Sequence, residues 1–191
     1  MLTSGKSYSN VFHANGGNAA FSVMANTLRG VYGTDVLLAT ANSFTGSVLK
    51  ADYTKKMADS MIMPNSLMSR QRTMTGAELK EVVRAFVEGC EGGFVPFNRG
   101  SLPIVSGIAV EVKEASGSYT LTGITRNGQP LRDDDTVTVT CLAAEKQMEA
   151  MLSSECGTSA GEDTWVKNTW RDHVSGGGAA LAEPENYMTL R

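Results

Sequence analysis

The residues that could do chemistry are few, and most of them stand alone. The chain has two histidines, His13 and His173, with no HxH, HExxH or DxH pattern around either. A binuclear hydrolytic centre needs several His and Asp ligands around metals about 3.5–4 Å apart. Two isolated histidines do not supply that, so no metal ligands and no catalytic residues are assigned. Asp133, Asp134 and Asp135 read as a solvated turn, because no further carboxylates follow at calcium-loop spacing. No GxSxG elbow is present, and Cys90 has no histidine near it in sequence. Ser4-Gly5-Lys6-Ser7 resembles the end of a phosphate loop, but lacks the first glycine and a preceding strand. Asn15-Gly16-Gly17-Asn18 opens a helical pattern, where free amides hold anions in other proteins. The plainer reading is a flexible lead into a helix capped by Asn18.

Composition narrows the class. At 191 residues and 41% apolar, the chain can bury a core of its own. A net charge of -3 with mixed signs leaves no footprint for nucleic acid or an anionic membrane. No apolar run of about 18 residues occurs, so no membrane span is expected. The first ten residues are polar and lack the apolar core of a signal peptide. Three cysteines, Cys90, Cys141 and Cys156, leave at least one unpaired. Cys141 reads as a buried thiol, while the pairing of Cys90 with Cys156 stays open.

The elements that must position any site follow from spacing. The clearest is a helix from Thr75, where Thr75 and Glu78 make a capping box. Leu79, Val82, Val83, Phe86 and Val87 then form one apolar stripe. A second helix is predicted from Asn18 to Tyr32, closed by Gly33, with an interior strand over Asp35–Thr40. Residues 41–51 read as a loop. Thr54 caps a short helix through Met61, with Met57 and Met61 on one side, and Leu67–Met74 is a strand. Residues 94–107 read as an extended loop. Strands follow at Ile108–Lys113, Tyr119–Arg126 and Thr136–Cys141, the last two separated by an Asn127-Gly128 turn and by Asp133–Asp135. Ala143–Leu152 and Thr164–Val174 read as helices, and residues 185–190 as a closing edge strand. The expected architecture is α+β, a mixed β-sheet packed by helices. Residues 1–14 are expected to be an irregular lead-in and residues 15–191 a single domain.

The order of these pieces resembles the C-terminal domain of the 5′-nucleotidase family. The matching residues are Gly17-Asn18, Asn42, Met63-Pro64, Met74-Thr75-Gly76-Ala77-Glu78-Leu79-Lys80, Val105-Ser106-Gly107 and Asn127-Gly128-Gln129-Pro130-Leu131, with the closing strand after Pro184. The likeness covers most of the chain from about residue 15. It implies a substrate-binding domain attached to an N-terminal calcineurin-like metallophosphoesterase domain. That partner domain would hold two divalent metals, so no cofactor is expected in this chain. The implied ligand is a nucleotide or nucleoside held between two aromatic rings, since base stacking contributes about 1–3 kcal/mol per ring. The implied location is extracytoplasmic: periplasmic, cell-surface or secreted.

Carried over position by position, the substrate-binding set is Asn42, Phe44, Ser47 and Asn65. Asn42 matches the asparagine that starts the family's N-x-G-G-I-R loop, while Phe44 stands at a glycine and Ser47 at the arginine. Asn65 stands where the first aromatic belongs, and the second aromatic falls near Ala143 or Ala144. Phe94, Phe97, Arg70 and Arg72 are the other rings and cations within reach in sequence. Two functions follow. One is a specificity domain that is not catalytic alone; the alternative is a degenerate interaction or structural module of an exported multidomain protein.

Overall fold

The computed structural model describes residues 2–11, 17–63, 66–88, 103–116, 118–144, 164–176 and 179–191. In chain order the elements are β1 (Leu2–Ser4), α1 (Ala19–Tyr32), β2 (Val36–Thr40), a 3-10 turn (Ala41–Ser43), β3 (Ala51–Tyr53), α2 (Lys55–Asp59), β4 (Leu67–Thr75) and α3 (Gly76–Glu88). Then come β5 (Pro103–Ser106), β6 (Ala109–Ala115), β7 (Ser118–Arg126), β8 (Gln129–Pro130), β9 (Thr136–Ala144), β10 (Thr164–Trp165), α4 (Val166–Ser175), β11 (Ala179–Ala180) and β12 (Met188–Leu190). Among the described residues these strands form three sheets, ordered β10-β4-β9-β2-β5, β12-β6-β7-β8 and β11-β1-β3. Parallel and antiparallel pairs mix: β2 runs parallel to β9, while β4 and β5 run antiparallel to their neighbours. The α+β class and the mixed sheet packed by helices are as expected.

α3 is built as its sequence dictates. The Thr75 N–H donates to Glu78 Oε2 at 2.6 Å, and the Glu78 N–H returns to Thr75 Oγ1 at 3.2 Å. The next orphan amides are met from elsewhere. Gly76 N–H reaches the Asp135 carbonyl at 2.7 Å and Ala77 N–H that of Asp133 at 3.2 Å. The turn packs so closely that a Cβ on Gly76 would sit 1.9 Å from the Arg132 carbonyl oxygen. Leu79, Val82, Val83, Phe86 and Val87 are all buried, and the helix lies against β4 and β7. α3 therefore joins the five-stranded sheet to the four-stranded one.

α1 is capped by Asn18, whose side chain accepts from Phe21 N–H at 3.0 Å, and is closed by left-handed Gly33. All five residues of β2 are buried, as befits a strand covered on both faces. Asn127 and Gly128 both take positive φ, 52° and 75°, as the two-residue hairpin turn requires. Cys141 is buried, as expected. The C-terminal segment straps the parts together. Ser22 and Glu185 exchange side-chain and backbone bonds, Ala182 N–H donates to Thr27 Oγ1, and β12 adds beside β6 in parallel.

Several expectations are corrected. Leu2–Ser4 is a strand within the lead-in, paired on both sides with β3 and β11. Its partners lie far along the chain, and three residues are too few for a period. Ala51–Tyr53, at the end of the expected loop, is a strand for the same reason. Met57 is exposed while Ala58 and Met61 are buried. The helix there ends at Asp59, so helical spacing does not carry Met57 and Met61 to one side. Pro103–Ser106 is an edge strand, with proline at its first position, where a missing N–H is tolerated. Ala143 and Ala144 extend β9 instead of starting a helix, because the ladder with β4 continues to Leu67 opposite Ala144. Thr164 and Trp165 pair with β4 before α4 begins. Residues 145–152, the glycines after α3, and Cys90 and Cys156 lie outside the described residues.

Candidate functional site

Strand directions sort the candidate residues to two ends of the five-stranded sheet. At one end β2 finishes at Thr40 opposite Pro103 of β5, and β9 finishes at Ala144 opposite Leu67 of β4. This is the carboxyl end of the parallel pair, the side on which open α/β sheets bind ligands. Asn42, Phe44 and Ser47 all follow Thr40 at this end. Asn42 is exposed. Phe44 is buried, packed against Phe21 with ring centroids 5.8 Å apart, and bridged to Ile62. Ser47 is exposed, and its Oγ accepts the Asn10 N–H at 3.0 Å. Asn65, Phe94 and Phe97 lie outside the described residues. Arg70 and Arg72 sit on β4, Arg70 partly buried and Arg72 buried. Of the predicted set, then, Asn42 and Ser47 share an exposed loop, and Phe44 is drawn into the core beside it.

The glycine-led start of α1 is committed to structure. Asn18 is 1% exposed, its Oδ1 caps the helix, and its own N–H donates to Tyr187 Oη at 2.9 Å. Burial raises the Tyr187 phenol well above its usual range. His173 is partly buried in the last turn of α4, beside Trp170, and burial lowers its pKa. Among the described residues, no three His, Cys, Asp or Glu side chains converge as a metal-binding group.

The opposite end of the sheet holds a polar cleft of about 410 Å³ between the five-stranded and four-stranded sheets. Its walls come from the end of α1, the residues before β2, the β5–β6 turn, the β7–β8 turn and the C-terminal strap. Asp35 and Arg126 pair across it at 2.5 Å, and Arg29 and Glu185 at 3.0 Å. Asp35 is held below the usual carboxylate range, first by the Thr138 N–H at 2.8 Å, then by the Thr138 hydroxyl and Arg126. Glu185 Oε2 accepts the Gly107 N–H at 3.0 Å. Gly107 takes φ +84°, and a Cβ there would meet the Asp35 carbonyl oxygen at 2.0 Å. The sequence reading missed this cleft. Its only forward signals were the Ser106-Gly107 and Asn127-Gly128 dipeptides, read there as matching motifs.

Among solved structures, a 5′-nucleotidase precursor from Thermus thermophilus superposes with a TM-score of 0.66 at 13% identity, over 99% of this chain and 39% of that one. A putative 5′-nucleotidase from Staphylococcus aureus, solved with alpha-ketoglutarate, gives 0.67 at 14% identity, over 96% of this chain and 40% of that one. The sulfate thiohydrolase SoxB of Thermus thermophilus, solved with glycerol, gives 0.66 at 11% identity, over 99% and 34%. No family model matches the sequence, and no curated protein matches it. This chain thus spans 34–40% of the length of these three proteins. The chain has the fold of a 5′-nucleotidase C-terminal domain.

Proposed function

We propose that this chain is the substrate-recognising domain of a 5′-nucleotidase-like metallophosphoesterase and is not catalytic alone. The observation that carries this reading is the superposition of nearly the whole chain on about two fifths of nucleotidases from two bacteria. The remaining chemistry, two divalent metals and phosphate-ester hydrolysis, would come from a metallophosphoesterase domain in the same or a separate polypeptide. The ligand would be a nucleotide or nucleoside, held at the carboxyl end of β2 and β9, where Asn42 and Ser47 are exposed. Work outside the cytoplasm, in the periplasm or at the cell surface, fits the same reading. SoxB, a sulfate thiohydrolase on this fold, makes the ligand class the part most in need of test.

A second reading is favoured by one observation. Phe44 is buried against Phe21, and the Ser47 hydroxyl is engaged by Asn10. A domain with those positions turned to structure fits a degenerate module that serves interdomain contact. A thermal-shift panel of nucleosides and nucleotides separates the two. A ligand at 100 times its Kd stabilises the fold by about 2.7 kcal/mol, a rise of roughly 5–10 °C for a domain this size. A base-selective rise supports substrate recognition. A flat panel on folded protein overturns it in favour of the module. Metal-dependent phosphatase activity of this chain by itself would contradict the non-catalytic part.

A further inference from the structure

The geometry points to a second ligand site in the cleft between the two larger sheets, a receptor for a small oxyanion such as an organic carboxylate or a phosphomonoester. The cleft holds two arginines and two carboxylates, so its formal charges cancel. Its hydrogen-bonding capacity does not. Each Asp35 oxygen already accepts, Oδ1 from Arg126 and Oδ2 from the Thr138 N–H and hydroxyl. Each Glu185 oxygen does too, Oε1 from Arg29 and Oε2 from Gly107 N–H. The donors are in surplus. Arg126 spends only Nη2, leaving Nε and Nη1 without an acceptor among the described residues. Arg29 spends Nε and Nη2 on Asn26, Ser106 and Glu185, leaving Nη1 in the same state.

Both guanidinium side chains are 27% exposed, so they can be reached yet are partly shielded from water. The ion pairs with Asp35 and Glu185 in the same walls hold each guanidinium before a ligand arrives, which lowers the ordering cost of binding. Planar donor forks of this kind match carboxylate and phosphate oxygens. A cleft of about 410 Å³ falls within the range of small-molecule sites. Gly107, with no Cβ, lets the β5–β6 turn close against the Asp35 backbone, where a Cβ would lie 2.0 Å from the carbonyl oxygen, and so holds its N–H on Glu185. With no net charge in the walls, an anion of low charge is favoured over a polyphosphate.

The site lies at the opposite end of the sheet from the nucleoside position and does not depend on it. The test is an amide-resolved NMR titration of the chain at low ionic strength with acetate, succinate, glycerol phosphate and neutral glycerol. Saturable shifts at Gly107, Asn127 and Gly128 with the anions, and none with glycerol, are expected. The carboxylate and phosphate arms decide which oxyanion is preferred. Arg126→Lys keeps a cation beside Asp35 and removes the fork, and should weaken anion binding roughly tenfold. Arg29→Lys, checked for an unchanged melting profile, should do the same should the first variant fold poorly. Shifts equal for glycerol, shifts elsewhere on the molecule, or unaltered affinity in a folded variant would overturn the site.

Discussion

The two ends of the five-stranded sheet differ in what their side chains are committed to. At the carboxyl end of β2, Asn42 and Ser47 lie in an exposed loop, and Phe44 has been absorbed into the core. At the amino end, Asp35, Gly107, Arg126 and Glu185 interlock through short, directed bonds with little room for substitution. One end is open to change and the other is over-determined. Solved structures of a 5′-nucleotidase precursor and of a sulfate thiohydrolase share this fold, so the fold alone does not choose a ligand.

The largest expected effect is at the interlocked end. Gly107→Ala places a Cβ 2.0 Å from the Asp35 carbonyl oxygen at φ +84°. It should destabilise the fold by about 3 kcal/mol or more, read as a shifted urea midpoint. A loss below about 1 kcal/mol would mean that the turn relaxes freely. Next comes Tyr187→Phe, which strips the partner from the buried Asn18 N–H. It should cost about 1–3 kcal/mol by the same measurement.

Asp35 supplies a pH signature. Its folded-state pKa is depressed, chiefly by the Thr138 N–H, so its stabilisation is present above the unfolded pKa of about 3.9. That stabilisation is lost as pH falls through the lower folded value. The stability gap between the wild type and Asp35→Asn should therefore hold steady from about pH 8 to 5 and shrink at lower pH. A gap unchanged at the acid end would show the carboxylate is not so engaged. The smallest effect belongs to the open end. Ser47→Ala should stay within about 0.5 kcal/mol of wild type, because the Asn10 N–H it releases is exposed to water.

Much of the fold was legible because local rules carried it. The Thr75–Glu78 box, the Asn18 and Gly33 caps, the apolar stripe of α3 and the Asn127-Gly128 turn each depend on neighbours within a few residues. The motifs that signalled the family proved to be packing devices. Gly76 admits the Arg132 carbonyl, and Gly107 admits that of Asp35. They point to a scaffold and are silent on a ligand. What sequence could not supply depended on distant partners. β1 needs residues 51–53 and 179–180, and the strand fate of Ala143-Ala144 needs Leu67 and Met68. The burial of Phe44 needs Phe21 and Ile62, and the cleft needs residues drawn from five separate segments.

The most direct measurement is an amide-resolved titration of the chain with uncharged nucleosides, which removes any contribution from phosphate. Saturable shifts at Thr40, Asn42, Leu67 and Ala144, selective for one base, are the predicted result. A folded chain that shows no saturable shift with any nucleoside, or shifts only around Asp35 and Gly107, would contradict a substrate-recognising role at the carboxyl end of the sheet.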